Sequence, residues 1–181
     1  MQAHPERSLE SARLRLRPPT PDDVGALMAL AGEWEVVKYT ARMPHPYTQA
    51  DAETWIAAAH GPEAAHRPFA IELRARGTFI GAIGFVAETD GAPEIGYWLG
   101  RPYWDQGYAT EALKTLIDHA FGTLGLDRLA ARAVLANRAS HRVLEKCGFV
   151  RGRETVELAP ARGVRRPVVW YELARAAWTQ A

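Results

Sequence analysis

The stretch EIGYWLGRPYWDQGYATEAL, residues 94–113, decides the fold. Its first half belongs to a strand over 91–100, bounded by Gly91 and Pro93 on one side and by Gly100-Arg101-Pro102 on the other. After a short loop a helix opens at Gly107, and Tyr108, Ala112, Leu113, Leu116, Ile117, Ala120 and Phe121 recur at helical spacing. A glycine there lowers helix propensity by about 1 kcal/mol against alanine. The first N–H groups of a helix have no internal partner, and the helix dipole adds partial positive charge to them. A phosphate or pyrophosphate can accept those bonds if the backbone comes close. Gly107 removes the Cβ that would block the approach, and Ala109 keeps the next inward position small. The same residues also suit a helix that merely begins with glycine, and the stretch alone leaves both readings open.

Outward from this stretch the chain reads as one mixed α/β domain. ARLRLRP (12–18) alternates as a strand, and TPDD after it can cap a helix with the apolar stripe Val24, Leu27, Met28, Ala31. Residues 37–47 are irregular, and Thr48 with Asp51 forms a capping box for a second helix. Residues 67–88 read as two strands about a turn at Arg76-Gly77, and 126–137 as another strand. A short helix (137–149) ends at Gly148, and two final strands meet through 160–163. The expected architecture is α/β (α+β): a mixed, mostly antiparallel sheet of about seven strands flanked by about four helices. Residues 1–10 read as a loose tail and 11–176 as the single domain. Trp34, Trp55 and Trp170 read as core.

Composition narrows the function. The chain has 181 residues, 48% of them hydrophobic, and a net charge of +1 with no basic block, which disfavours nucleic acid as a partner. No segment approaches the ~18 apolar residues of a membrane helix, so no membrane is expected and a cytoplasmic location is. A lone Cys147 supports neither a disulfide framework nor a zinc site, and reads as a small buried hydrophobe. No metal is expected. GTFIGAIG (77–84) and GPEAAHRP (61–68) match no phosphate-binding pattern and read as a hairpin strand and a loop.

Taken together, EIGYWLGRPYWDQGYATEAL, the alternating strand after it and ANRASHRVLEKCGF (136–149) resemble the GNAT superfamily of acetyl-CoA-dependent N-acetyltransferases. The chain is most similar to the Rim-type branch, the ribosomal-protein N-terminal acetyltransferases, whose first strand and helix RLRLRPPTPDD also resembles. The family's acyl-CoA signature is Gln or Arg, two residues, Gly, one residue, then Gly or Ala. Gly107 and Ala109 match it, and Trp104 departs from its first position. The resemblance implies acetyl-CoA as cosubstrate. It implies that the backbone of Gln106, Gly107, Tyr108, Ala109 and Thr110 holds the pyrophosphate, and that the strand end at Trp98 and Leu99 pairs with pantetheine. It places Asn137 against the CoA arm. Many members carry a tyrosine seven residues later, where this chain has Leu144; the Rim-type branch instead has serine at the position of Ser140. Ser140 is thus a candidate proton donor to the leaving thiolate, or a helix cap. Lys146 suits a CoA phosphate or a solvated helix face.

Acetyl transfer from a thioester to an amine needs aligned reactants, a proton acceptor for the amine, an oxyanion donor and a proton or hydrogen bond for the thiolate. Glu94 is the first candidate base, with a solvent-facing strand residue as its other reading; Glu157, Glu172 and His141 stand in reserve. Tyr39, His45 and Tyr47 are candidates for the acceptor cleft, or for packing. Arg162, Arg165 and Arg166 suit an acidic peptide, or a solvated hairpin tip. The acceptor is expected to be a primary amine, a protein N-terminus among the choices, with an antibiotic or a polyamine as alternatives. A non-catalytic acyl-CoA-sensing module on the same scaffold is the competing reading. A homodimer is compatible with the resemblance.

Overall fold

Leu14 and Leu16 alternate with Arg15 and Arg17, and the two leucines are buried while the arginines take the other face. They form β2 (Leu14–Arg17) in the computed structural model, which describes residues 8–60, 68–89 and 91–178. The reading of 61–68 as a loop falls almost wholly outside the described residues. β2 pairs with a two-residue strand, β1 (Leu9–Glu10), so the end of the expected tail is part of the sheet. Residues 1–7 of that tail lie outside the described residues.

The remaining strands follow the sequence reading closely: β3 (Phe69–Leu73), β4 (Thr78–Thr89), β5 (Ala92–Leu99), β6 (Arg128–Val134), β7 (Val150–Ala159) and β8 (Val164–Ala174). They build one eight-stranded sheet in the order β1-β2-β3-β4-β5-β6-β8-β7. Every pairing is antiparallel except β5 with β6. The run GTFIGAIG lies in the β4 hairpin strand, as expected. A Cβ at Gly81 would come within 2.2 Å of the Trp98 carbonyl oxygen, so only glycine lets β4 approach β5 there.

Among the described residues five α-helices flank the sheet: α1 (Val24–Ala31), α2 (Trp34–Val37), α3 (Gln49–Ala59), α4 (Tyr108–Asp118) and α5 (Arg138–Lys146). The additional one, α2, is a single turn inside the segment before the 37–47 loop. The capping box of α3 forms as read: Asp51 N–H donates to Thr48 Oγ1 at 3.3 Å, and Thr48 N–H to Asp51 Oδ2 at 2.8 Å. The main core joins the sheet to α4 and α5 through Leu113, Leu116, Phe121, Leu144 and Tyr171. A second cluster, with Leu27, Ala31, Ile56 and Phe79, seats α1 and α3 on the opposite face.

The parallel pair positions the site. Its ladder runs from Glu94↔Ala130 to Ile95↔Ala131, yet β5 continues to Leu99 and β6 to Val134. The two strands part beyond Ile95, and the sheet is split at its centre.

Candidate active site

The split opens into a cavity of about 1020 Å³, lined among others by Tyr97, Trp98, Gly107, Ser140 and Glu157. Small-ligand pockets span about 300–1,000 Å³, so this one has room for a long ligand and a second reactant. Gly100 N–H donates to Ile80 O at 2.9 Å, and Trp98 sits opposite Ala82. Antiparallel alternation therefore commits the main chain of Trp98 to β4 and turns that of Tyr97 and Leu99 into the split. Sequence reading assigned Trp98 and Leu99 equal parts; the register divides them. The Trp98 side chain packs with the second cluster, tilted 56° against Phe79 at 6.1 Å.

Gly107 is the N-cap of α4 and adopts φ 80°, a left-handed conformation that side chains resist; Asp105 does so at φ 57°. Left-handed turns of this kind curl successive N–H groups into an anion-binding concavity, here at a helix N-terminus. Gly107, Tyr108, Ala109 and Thr110 all line the cavity. Trp104, which departs from the family signature, braces the loop from within. Its indole N–H donates to Leu99 O at 2.8 Å and ties the loop to the end of β5. Gln106 also acts inward, its amide donating to Pro102 O at 2.8 Å, and it is not among the cavity-lining residues. From the bend between β1 and β2, Arg13 holds the loop on its outer side. It donates to Gln106 O at 3.0 Å, pairs with Glu111 at 2.6 Å and lies 4.4 Å over the Tyr108 ring. Burial works to raise the Glu111 carboxyl, but bonds from the Arg13 amide, Ser11 and the Arg13 guanidinium outweigh it and hold the group below its ordinary range.

At the start of α5 the capping residue is Asn137, not Ser140: Asn137 Oδ1 accepts the Ser140 N–H at 3.2 Å. Asn137 lines the cavity, but its side-chain oxygen is turned to the helix. Ser140 Oγ is 2.9 Å from the Tyr97 hydroxyl. Lys146 and Arg142, one helical turn apart, both line the cavity from exposed positions. Leu144 is buried in the main core. Cys147 is half-buried, 3.7 Å from Thr110 O, and burial pushes its thiol up to about 11 against a small opposing pull from Lys114. His141 is fully engaged: Nε2 faces Leu135 O at 3.2 Å, so it carries the proton, and Nδ1 accepts from the Tyr171 hydroxyl at 2.8 Å. That removes His141 from the reserve bases.

The opposite face of the sheet carries charge. Residues 94 and 97 differ by an odd step along β5, so Glu94 points away from Tyr97 and α5. Glu94 is buried and pairs with Arg132 at 2.9 Å. Arg132 Nη1 also donates to Glu157 Oε2, while Thr155 and Trp170 each donate to Glu157 Oε1 at 2.7 Å. Burial works to raise the Glu157 carboxyl; these hydrogen bonds and the guanidinium charge overcome it and hold the group below its usual range. Glu94, Arg132 and Glu157 line the cavity, whereas Glu172 is exposed and does not. Trp170, expected in the core, is half-buried beside this cluster.

The irregular 37–47 segment roofs this face. Tyr39 and Tyr47 line the cavity; burial, with the Asp51 charge beside it, pushes the Tyr47 phenol up to about 12. His45 does not line it, and packs on Trp34 with ring centres 5.3 Å apart. Trp34 itself is half exposed, a correction to its reading as core. The hairpin arginines are not a solvated tip. Arg162 donates to Val37 O, and Arg166 to Lys38 O and Tyr39 O, at 2.7–2.8 Å, clasping the roof to the β7–β8 hairpin. Arg165 donates to Val156 O.

Residues 13–150 match the model of the acetyltransferase (GNAT) domain. The chain belongs to this family. The uncharacterized N-acetyltransferase YoaA of Bacillus subtilis is 34% identical over 144 residues, 78% of this chain and 81% of that one. The crystal structure of a GNAT-family acetyltransferase from Bacillus anthracis superposes with a TM-score of 0.82 at 23% identity, covering 93% of this chain and 99% of that one. RimL, a ribosomal L7/L12 α-N-protein acetyltransferase solved in complex with coenzyme A, gives a TM-score of 0.80 at 19% identity, over 93% and 98% of the two chains. Both superpositions agree with the expected fold, to which this chain adds the strand β1 and the helix α2.

As a GNAT acetyltransferase the protein is an N-acetyltransferase with acetyl-CoA as cosubstrate. No group of side chains suited to a metal occurs among the described residues. No described helix is long and apolar enough to cross a membrane. Sequence reading missed four residues that line this cavity or hold its loop: Tyr97, Arg132 and Arg142 in the wall, and Arg13 behind the loop. Arg142 alone left a local signal, four residues before Lys146 on one helix face. The other three act through partners remote in sequence.

Proposed function

We propose that the protein moves the acetyl group of acetyl-CoA to a primary amine, with a protein N-terminal α-amine as the leading acceptor, by direct attack in a ternary complex. The split sheet carries this reading. One cavity joins a phosphate-suited loop and Ser140 on one face to the Glu94–Arg132–Glu157 cluster on the other. The amine nitrogen attacks the thioester carbon, the C–S bond breaks, and the sulfur leaves with its electron pair. The backbone of Gly107 through Thr110 binds the pyrophosphate, the Leu99 N–H faces the thioester oxygen, and Ser140 serves the departing thiolate. Lys146 and Arg142 supply cations for the outer CoA phosphates. Tyr39 and Tyr47 line the acceptor's path.

The amine decides how strong a base is needed. An α-amino group titrates near ~8 and lysine near ~10.4, so at pH 7 roughly a tenth of the former is neutral against about one part in a few thousand of the latter. A carboxylate acting through water suffices for the α-amine. The side chain of Glu157 is 22% exposed and that of Glu94 5%. This favours Glu157 as the proton acceptor, with Glu94 holding Arg132 in place, and revises the first choice of Glu94. A cytoplasmic setting suits a protein whose one cysteine is an unpaired thiol.

Two measurements test the reading. Mixing with acetyl-CoA and a panel of N-terminal peptides, lysine peptides, aminoglycosides and polyamines should release free thiol, fastest with peptides bearing a free α-amine. Thiol release with aminoglycosides or polyamines but not with peptides would establish a small-molecule amine as the acceptor instead. Separately, Gly107→Val should weaken acetyl-CoA binding at least tenfold by titration calorimetry. A β-branched residue at φ 80° is strained, and its Cβ would press on Arg13 Nη2 at 3.4 Å, so the turn that curls the N–H groups together would have to shift. Unchanged affinity would remove this loop from the binding site.

A further inference from the structure

The Tyr97 and Ser140 hydroxyls meet at the cavity wall, 2.9 Å apart, one on β5 and one in the first turn of α5. We propose that Tyr97 is a positioning residue for thiolate departure: its phenol donates to Ser140 Oγ, so the serine proton is the one turned toward the sulfur. The inference rests on the reading of Ser140 as the thiolate's partner.

A serine hydroxyl has one proton and two lone pairs, and its rotor is free unless something fixes it. Left alone in a helix, it tends to donate that proton to a carbonyl one turn back. Tyr97 offers a donor from the cavity side. Its hydroxyl is 2.9 Å from Ser140 Oγ and 3.3 Å from Ser140 O, so both acceptors in its reach belong to Ser140. With the Tyr97 proton on Oγ, the Ser140 proton must point elsewhere, and the cavity is the open direction. Asn137 already caps the helix, so Ser140 has no competing duty there. The pairing Ile83↔Tyr97, between Ala82↔Trp98 and Gly84↔Gly96, fixes where the phenol stands. Burial raises the Tyr97 phenol well above its ordinary value, more than the bond with Ser140 lowers it, so it keeps its proton. No covalent bond changes within the pair; it acts as a fixed donor to sulfur.

Product affinity tests this without knowledge of the acceptor. The probes are CoA and desulfo-CoA, titrated at pH 9, where part of the thiol is ionised. The wild type should prefer CoA by about tenfold, the worth of one charge-assisted hydrogen bond. Ser140→Ala should abolish the preference, Tyr97→Phe should cut it to about threefold, and the double variant should match Ser140→Ala. Desulfo-CoA affinity and the thermal midpoint should stay near wild type in Tyr97→Phe, showing that fold and binding site are intact. A tenfold preference kept in Tyr97→Phe but lost in Ser140→Ala would overturn the role of Tyr97 alone. So would an equal loss of affinity for both probes in Tyr97→Phe. No preference in the wild type, or a preference kept in Ser140→Ala, would instead overturn the underlying reading of Ser140.

Discussion

Ser140→Ala lowers kcat about a hundredfold, the lower end of what one preorganised hydrogen-bond donor to developing charge contributes, while acetyl-CoA affinity stays within about twofold of wild type. The expected split follows from geometry. The Ser140 side chain faces the cavity and Tyr97, and the loop proposed to bind the pyrophosphate lies on a different element, before α4. A helix cap would behave differently, and the cap here is Asn137. Asn137→Ala therefore carries the stability cost, about 1 kcal/mol by urea unfolding, and Ser140→Ala carries almost none. Steady-state kinetics with the best amine of the panel, beside unfolding curves of both variants, separates the two roles. Equal turnover in Ser140→Ala would leave the serine without a catalytic part.

Arg132→Leu is the second large effect, and it falls on stability. One guanidinium bridges Glu94, which is buried, and Glu157. Removing it leaves two carboxylates close together without their shared cation. Breaking a buried pair in this way costs about 3–5 kcal/mol. The sign with pH follows from the same charges. In the wild type the Glu157 carboxyl is held below its ordinary value, so its contribution is present above the unfolded pKa and is lost as pH falls through the folded one. In Arg132→Leu the remaining carboxylates repel and are desolvated, which raises their pKa values. The deficit of the variant against wild type should be largest at pH 7 and should shrink toward pH 4.5. Urea midpoints at both pH values measure it; a deficit independent of pH would mean that packing, not charge, is what Arg132 supplies.

The sequence made some of this legible because the signals are local. Gly107 at the head of an apolar-periodic helix, the alternation of Leu14 and Leu16, and the Thr48/Asp51 box each depend on residues within one or two turns. The resemblance to the family signature then implied a pyrophosphate as the loop's ligand. What stayed hidden depends on tertiary register. Tyr97 and Ser140 are 43 residues apart and meet only because α5 packs on the side-chain face of β5 that carries odd-numbered residues. Glu94 and Arg132 lie on neighbouring parallel strands joined through α4, a pairing that no short-range pattern encodes. β1 is two residues long, too short for alternation to reveal. Trp34 followed the usual preference of tryptophan for the interior, yet its ring is half exposed, between His45 and Arg162. Trp104 showed as a departure from the signature, but its bond to Leu99 O could be found only in three dimensions.

The central claim is that acetyl-CoA lies in the split between β5 and β6 with its pyrophosphate on the turn at Gly107. Backbone amide hydrogen exchange, with and without saturating acetyl-CoA, tests it at single residues. Slowed exchange at Gly107 through Thr110 and at Leu99 is the predicted result, with little change at Trp98, whose amide serves β4. Protection confined to other elements, or none at these residues while acetyl-CoA is bound, would contradict it.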